Sequence, residues 1–163
     1  MATPEDLLQR LFHMTVTLSG AMAQDLAQRG LTQARATLLS VLRDGGPTNQ
    51  ATLARALRVS PRNITGLVNG LEETGLAARV PHPTDRRATV VVLTDNGARA
   101  ATALAHDQRE LAKYLFATCR PAERDAISST LDAVLARLDH PEFEVQRLAA
   151  YWRWPLRRKD NSR

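Results

Sequence analysis

After Thr3-Pro4-Glu5-Asp6, apolar residues return every three or four positions, at Leu7, Leu11, Met14, Leu18, Met22 and Leu26. That spacing lines one face of a helix. A Thr3 hydroxyl that can cap, a proline at the first helical position and two acids in the positive first turn all favour a start there. A helix is expected from Pro4 to about Arg29, with Gly30 as its stop. Thr32 can cap a second helix carrying Leu38, Leu39 and Leu42, which Gly45-Gly46-Pro47 ends. Thr48 then reads as the start of a short third helix whose inward face is Leu53, Ala54 and Leu57.

Arg58-Val59-Ser60 is a three-residue link, after which Ser60 and Pro61 supply another cap and first-turn pair. In the fourth helix Ile64, Leu67, Val68 and Leu71 fall on one stripe, and Gly75 stands where a left-handed C-cap is expected. The period then changes. Ala77 to Val80 and Ala88 to Leu93 are short and β-branched, and Pro81-His82-Pro83-Thr84-Asp85-Arg86-Arg87 between them is rich in turn formers, which predicts a β-hairpin with a projecting tip. Thr94-Asp95-Asn96-Gly97 opens a fifth helix through Leu104, Leu111, Tyr114 and Leu115. A break near Cys119-Arg120-Pro121 precedes a last long helix with Ile127, Leu131, Val134, Leu135 and Leu138. The fold class expected is mainly α with a small β-hairpin wing.

Two short helices joined by a tight turn make a helix-turn-helix, and a hairpin directly after the second makes it winged. Residues 32–97 are read as this winged helix-turn-helix region. Residues 4–30 and 98–139 are read as long N- and C-terminal dimerisation helices, because their leucine-rich faces lie outside a central segment able to close its own small core. Residues 140–163 form a C-terminal extension, where Tyr151, Trp152 and Trp154 stand among Arg153, Arg157, Arg158 and Lys159. Two readings of it stay open, a disordered extension and a short helix, Phe143 to Trp152, set on the dimer with a basic end drawn to DNA.

Charge sharpens this picture through its distribution. The net charge is +5 over 163 residues. Residues 1–34 carry −1, 35–100 carry +4, 101–152 carry −2 and 153–163 carry +4. All nine central cations are arginine (Arg35, Arg43, Arg55, Arg58, Arg62, Arg79, Arg86, Arg87, Arg99), whose planar fork suits phosphates and base edges. An anionic partner is implied. With the apolar stripe of the fourth helix inward, its outer face shows Arg62, Asn63, Thr65, Gly66 and Asn69. Arginine can pair with guanine, asparagine with adenine, and threonine can offer its hydroxyl or methyl. Gly66 costs about 1 kcal/mol relative to alanine inside a helix, which fits either a close approach of its backbone to a ligand or close contact with a neighbouring helix. Backbone amides near Thr48, Asn49 and Gln50 and near Ser60, Pro61 and Arg62 open helices and suit phosphate. Arg86 and Arg87 on the hairpin tip are placed to enter a minor groove, and Asp85 either orients one of them or is an ordinary turn residue.

At these residues the chain resembles the multiple-antibiotic-resistance regulator (MarR) family. Asp85-Arg86-Arg87, the strand Ala88 to Leu93 and then Thr94 and Gly97 are similar to the family's wing pattern. Leu53-Ala54 through Ser60, followed by Thr65, Leu67, Val68, Leu71, Glu72 and Gly75-Leu76, is a second match. The resemblance covers roughly residues 5–138. It implies a homodimer with intertwined terminal helices, two winged helices in successive major grooves of double-stranded DNA, and often a small-molecule effector. Repression by occupying an inverted-repeat operator follows from it. The tail after Asp139 is longer than the resemblance accounts for.

Other chemistries find little support. A single cysteine, Cys119, excludes an internal disulfide framework and a multi-cysteine metal site, and only Arg120 hints at the setting a redox-sensing thiol needs. His140-Pro141-Glu142 lacks the P-C-x-x-C that a zinc deaminase requires. Neither G-x-S-x-G nor a phosphate loop is present, so no enzyme and no cofactor are expected. His13, with Thr17 nearby on the first helix, could line an effector pocket, or be a dimer-core or surface histidine. No apolar run approaches the roughly 20 residues of a membrane span, and the acidic start is unlike a signal peptide, so a cytoplasmic protein is expected. A protein-interaction module built on the same winged helix, without operator binding, is the alternative reading.

Overall fold

Nearly every helix begins where the chain can supply an oxygen to its first amides. The fold is given by a computed structural model that describes residues 1–82, 84 and 88–140. Its elements are α1 (Pro4–Gln28), α2 (Gln33–Gly45), α3 (Gln50–Leu57), α4 (Pro61–Glu73), β1 (Ala77–Pro81), β2 (Thr89–Leu93), α5 (Asp95–Leu115) and α6 (Pro121–Leu138). Thr3 and Asp6 form a reciprocal capping box, and Thr32, Asn49 and Ser60 each accept from an amide three residues on. Glycines at positive φ follow α1, α2 and α4, at Gly30, Gly46 and Gly75. The described residues fall into two compact units that divide after Leu111.

One expectation is corrected at α3. Its cap is Asn49, because Thr48 exchanges two backbone hydrogen bonds with Val91, donating at 3.1 Å and accepting at 2.8 Å. An amide and a carbonyl committed to a strand partner cannot also open a helix. Thr48 thereby adds a bridge to the far side of β2, whose other edge pairs antiparallel with β1 from Ala77↔Leu93 to Pro81↔Thr89.

In the first unit the core gathers Leu26 from α1, Leu31 from the link after it, Leu38, Leu39 and Leu42 from α2, Leu53 and Ala54 from α3, Ile64, Val68 and Leu71 from α4, then Ala77, Val91 and Ala101. Leu38, Leu39, Leu42, Leu53, Ala54, Ile64, Val68 and Leu71 are positions that the helical pattern turns inward, and Leu57 and Leu67, expected beside them, lie partly buried against this core. Arg29 ties the end of α1 to α5, reaching Asp25 at 3.0 Å and Asp107 at 2.7 Å. Its hydrogen bonds to Asp107 and then to Asp25 raise its pKa above the ordinary arginine value. On α1 only Leu26 is fully buried, and Leu7, Leu8, Phe12, Met14, Val16 and Met22 are exposed.

In the second unit α6 buries none of its residues, and Ile127, Leu131, Val134, Leu135 and Leu138 are all exposed. Its start is closed by Glu123, which accepts from the Arg120 amide at 2.8 Å and from its guanidinium at 2.6 Å. Residues 141–163, which hold nearly all of the predicted extension, lie outside the described residues. No helix among the described residues is long and apolar enough to cross a membrane.

Candidate nucleic-acid interface

The turn between α3 and α4 is built by Arg58, which adopts the left-handed conformation (φ 53°, ψ 42°). A non-glycine residue there costs about 1 to 2 kcal/mol, which the surrounding contacts must offset. The Val59 amide donates to Ala54 O at 3.0 Å, and Val59 and Leu57 lie against the core. Leu53 and Ala54 on α3 face Ile64 and Val68 on α4 across the buried side. Burying that stripe leaves the opposite face of α4 outward.

That face carries every α4 residue expected there: Arg62, Asn63, Thr65, Gly66 and Asn69 are all exposed. Their circumstances differ. The Thr65 hydroxyl lies 2.9 Å from Pro61 O and 3.1 Å from Gln50 Oε1, so it links α3 to α4 and leaves its methyl for contact. A Cβ on Gly66 would meet nothing within 4 Å, which removes a neighbouring helix as the reason for this glycine. The crowded glycine of α4 is Gly70, where a Cβ would overlap the guanidinium of Arg35.

Asn69 is held by a residue that the sequence pattern did not single out as a site residue. Arg79 on β1 donates from Nη2 to Asn69 Oδ1 at 2.7 Å, donates its backbone amide to Glu72 Oε1 at 2.9 Å, and pairs its guanidinium with the same carboxylate. Glu72 and Arg79 stand on either side of the Gly75 turn, and that turn brings them together. Opposite charges bracketing a glycine stop were the legible signal. The contact joins the wing's first strand to the outward face of α4.

At the helix starts, capping consumes part of what could bind phosphate. Asn49 Oδ1 takes the Thr52 amide at 2.9 Å and Ser60 Oγ takes the Asn63 amide at 3.2 Å. Thr48 has spent its amide on Val91, and Pro61 has none to offer. The amides of Gln50 and Ala51 on α3 and of Arg62 on α4 remain to face an anion. At the hairpin tip the His82 amide donates to Ala88 O at 2.9 Å, and Thr84 contacts His82 Nδ1. Asp85, Arg86 and Arg87 lie outside the described residues.

The remaining candidates are scattered. His13 and Thr17 are both exposed on α1. Cys119 is half-buried beyond the end of α5, and its carbonyl accepts from Arg124 Nη1 at 3.0 Å. Among the described residues no group of three or more histidine, cysteine or acidic side chains could hold a metal ion.

A MarR family model matches residues 29–88, from the end of α1 through the hairpin loop. Over 129 residues the chain is 30% identical to the HTH-type transcriptional repressor NicR of Pseudomonas putida, covering 77% of this chain and 82% of that protein. The crystal structure of RV1404 from Mycobacterium tuberculosis is similar with a TM-score of 0.70 at 27% identity, over 86% of this chain and 97% of that one. FabT of Streptococcus pneumoniae, crystallised in complex with DNA, shares the fold with a TM-score of 0.77 at 15% identity, over 84% of this chain and 98% of its own.

Proposed function

The chain belongs to the MarR family, and on that premise we propose that it binds double-stranded DNA as a homodimer and represses transcription by occupying an inverted-repeat operator. It is a DNA-binding regulator of the winged-helix class and not an enzyme. The observation that carries the proposal is the outward face of α4, where Arg62, Asn63, Thr65, Gly66 and Asn69 are exposed together on a helix whose other face is buried. Such a helix can lie in a major groove and meet base edges. Gly66 lets its backbone come close, and the amides of Gln50, Ala51 and Arg62 receive phosphates alongside. Residues 32–97 are the DNA-binding region in this reading, with Asp85, Arg86 and Arg87 as the minor-groove grip of the wing.

The exposed apolar side chains of α1 and of α6 support the homodimer, since leucines left in water at that density favour a partner. Residues 4–30 and 98–139 supply that interface. Two-fold symmetry then sets operator half-sites about one helical turn apart. A small molecule that prefers a dimer geometry with misplaced α4 helices would release the operator, and His13 and Thr17 are the residues assigned to contact it.

A gel-shift with duplex DNA from upstream of the chain's own gene, run beside a scrambled duplex of equal length, tests the reading. Retardation of the upstream fragment alone is expected, at a stoichiometry of one dimer per site. Equal retardation of both, or of neither, would overturn it.

A further inference from the structure

Resting on the reading of α4 as the DNA-facing helix, we infer that Asn69 meets its base chiefly through its amide N-H donors, and that Arg79 of the wing strand imposes this. An asparagine amide carries one acceptor and two donor hydrogens, and the two ends are nearly identical in shape. Here the neighbour decides which is which. A guanidinium has donors and no acceptor, so the Asn69 atom 2.7 Å from Arg79 Nη2 is the carbonyl oxygen Oδ1.

Arg79 is poorly placed to let go. Its backbone amide is fixed by β1 to Glu72 Oε1 at 2.9 Å, its guanidinium is paired with the Glu72 carboxylate, and its side chain is only 25% exposed. Swinging away would leave a partly buried carboxylate without its cation, and charge-assisted pairs are the stronger ones. Asn69 itself is exposed, so the groups it offers outward are the two N-H bonds of Nδ2.

The consequence is a base preference opposite to the usual one for asparagine. Bidentate pairing with adenine needs an acceptor for its N6-H and a donor for its N7 at once. With Oδ1 turned to a cation, one of its two lone pairs is spent and the amide N-H groups, not the oxygen, lead toward the base. Guanine offers O6 and N7, and thymine offers O4, to an outward amide donor, whereas adenine offers N7 alone beside an opposing amino group and cytosine only amino hydrogens. Asn69 therefore selects a keto base in the major groove. This also makes the wing strand a determinant of what α4 reads, although Arg79 need not touch DNA.

Selection of binding sequences from randomised duplexes with the full chain tests this. One position should favour G or T over A by about tenfold or more, and Asn69→Ala should erase the preference there and nowhere else. Asn69→Asp keeps an oxygen for Arg79 and turns the outward group into an acceptor. It should weaken binding and move that position toward C or A. Arg79→Met frees Oδ1 and should move the position to A. Adenine at the Asn69-dependent position in the unaltered protein, or an unchanged keto preference in Asn69→Asp, overturns the inference. Arg79→Met is judged against Asn69→Asp, which sits on the surface and leaves the fold alone. If no duplex is selected at all, the DNA-binding reading fails. If duplexes are selected with no position depending on Asn69, this inference alone fails.

Discussion

Gly97 in the first turn of α5 lies directly against the carbonyl of Leu76: a Cβ there would sit 2.8 Å from the Leu76 carbonyl carbon and still closer to its oxygen. Gly70 on α4 is crowded too, but by the tip of the Arg35 side chain, whose Nη2 and Cζ a Cβ would overlap and whose Nε would lie 2.5 Å away. Backbone cannot move aside cheaply and a long side chain can. Gly97→Ala should therefore lower unfolding free energy by about 1 to 3 kcal/mol despite alanine's better helix propensity. Gly70→Ala should stay within about 1 kcal/mol of the parent, and urea denaturation of both variants distinguishes the two.

Thr94 closes the same corner. Its hydroxyl donates to Gly75 O at 2.7 Å and accepts from the Gly97 amide at 3.0 Å, joining the end of α4 to the start of α5. Thr94→Val keeps the shape and removes both bonds. A loss of about 1 to 2 kcal/mol is expected by thermal or urea unfolding.

Glu123 links acidity to α6. Hydrogen bonds from the Arg120 guanidinium and then its backbone amide hold the Glu123 carboxyl below its ordinary value of 4.5. A lowered folded pKa stabilises above the unfolded value and is lost as pH falls through the folded one. Protection of the amides in the first turn of α6, taken relative to the intrinsic exchange rate at each pH, should be steady from neutral pH down to about 4.5 and fall below it. Glu123→Gln, which keeps the capping oxygen, should remove that acid dependence.

DNA affinity should fall steeply with salt, by roughly 10³ to 10⁵ between about 50 and 200 mM if about 6 to 10 phosphates are neutralised. Fluorescence anisotropy across a salt series measures the slope. A flat response would contradict phosphate-led binding. Arg62→Ala should cost about 1 to 3 kcal/mol and relax preference at one base, while Arg86→Ala should weaken all sequences more evenly.

Charging an apolar face tests the homodimer. Leu135 is 56% exposed on α6. Leu135→Glu should shift sedimentation toward the mass of one chain while leaving helix content unchanged, because little of this side chain is buried within its own chain. An unaltered sedimentation coefficient would place the dimer contact elsewhere.

The amino-acid order by itself determined what depends on neighbours a few residues apart. Thr3, Thr32 and Ser60 cap because a short polar side chain reaches an amide three positions on, and Ile64, Val68 and Leu71 face inward because 3.6 residues make a turn. The outward set from Arg62 to Asn69 follows from the same geometry. Tertiary structure decided everything that joins distant segments. It paired Thr48 with Val91 and so moved the cap of α3 to Asn49, it set the Arg35 side chain over Gly70, and it left Gly66 open. It also set Arg79 on Asn69, which turns the oxygen end of that amide toward β1. Local periodicity places a side chain on a face, but its partner is chosen only when the hairpin and the helices around the core close on one another.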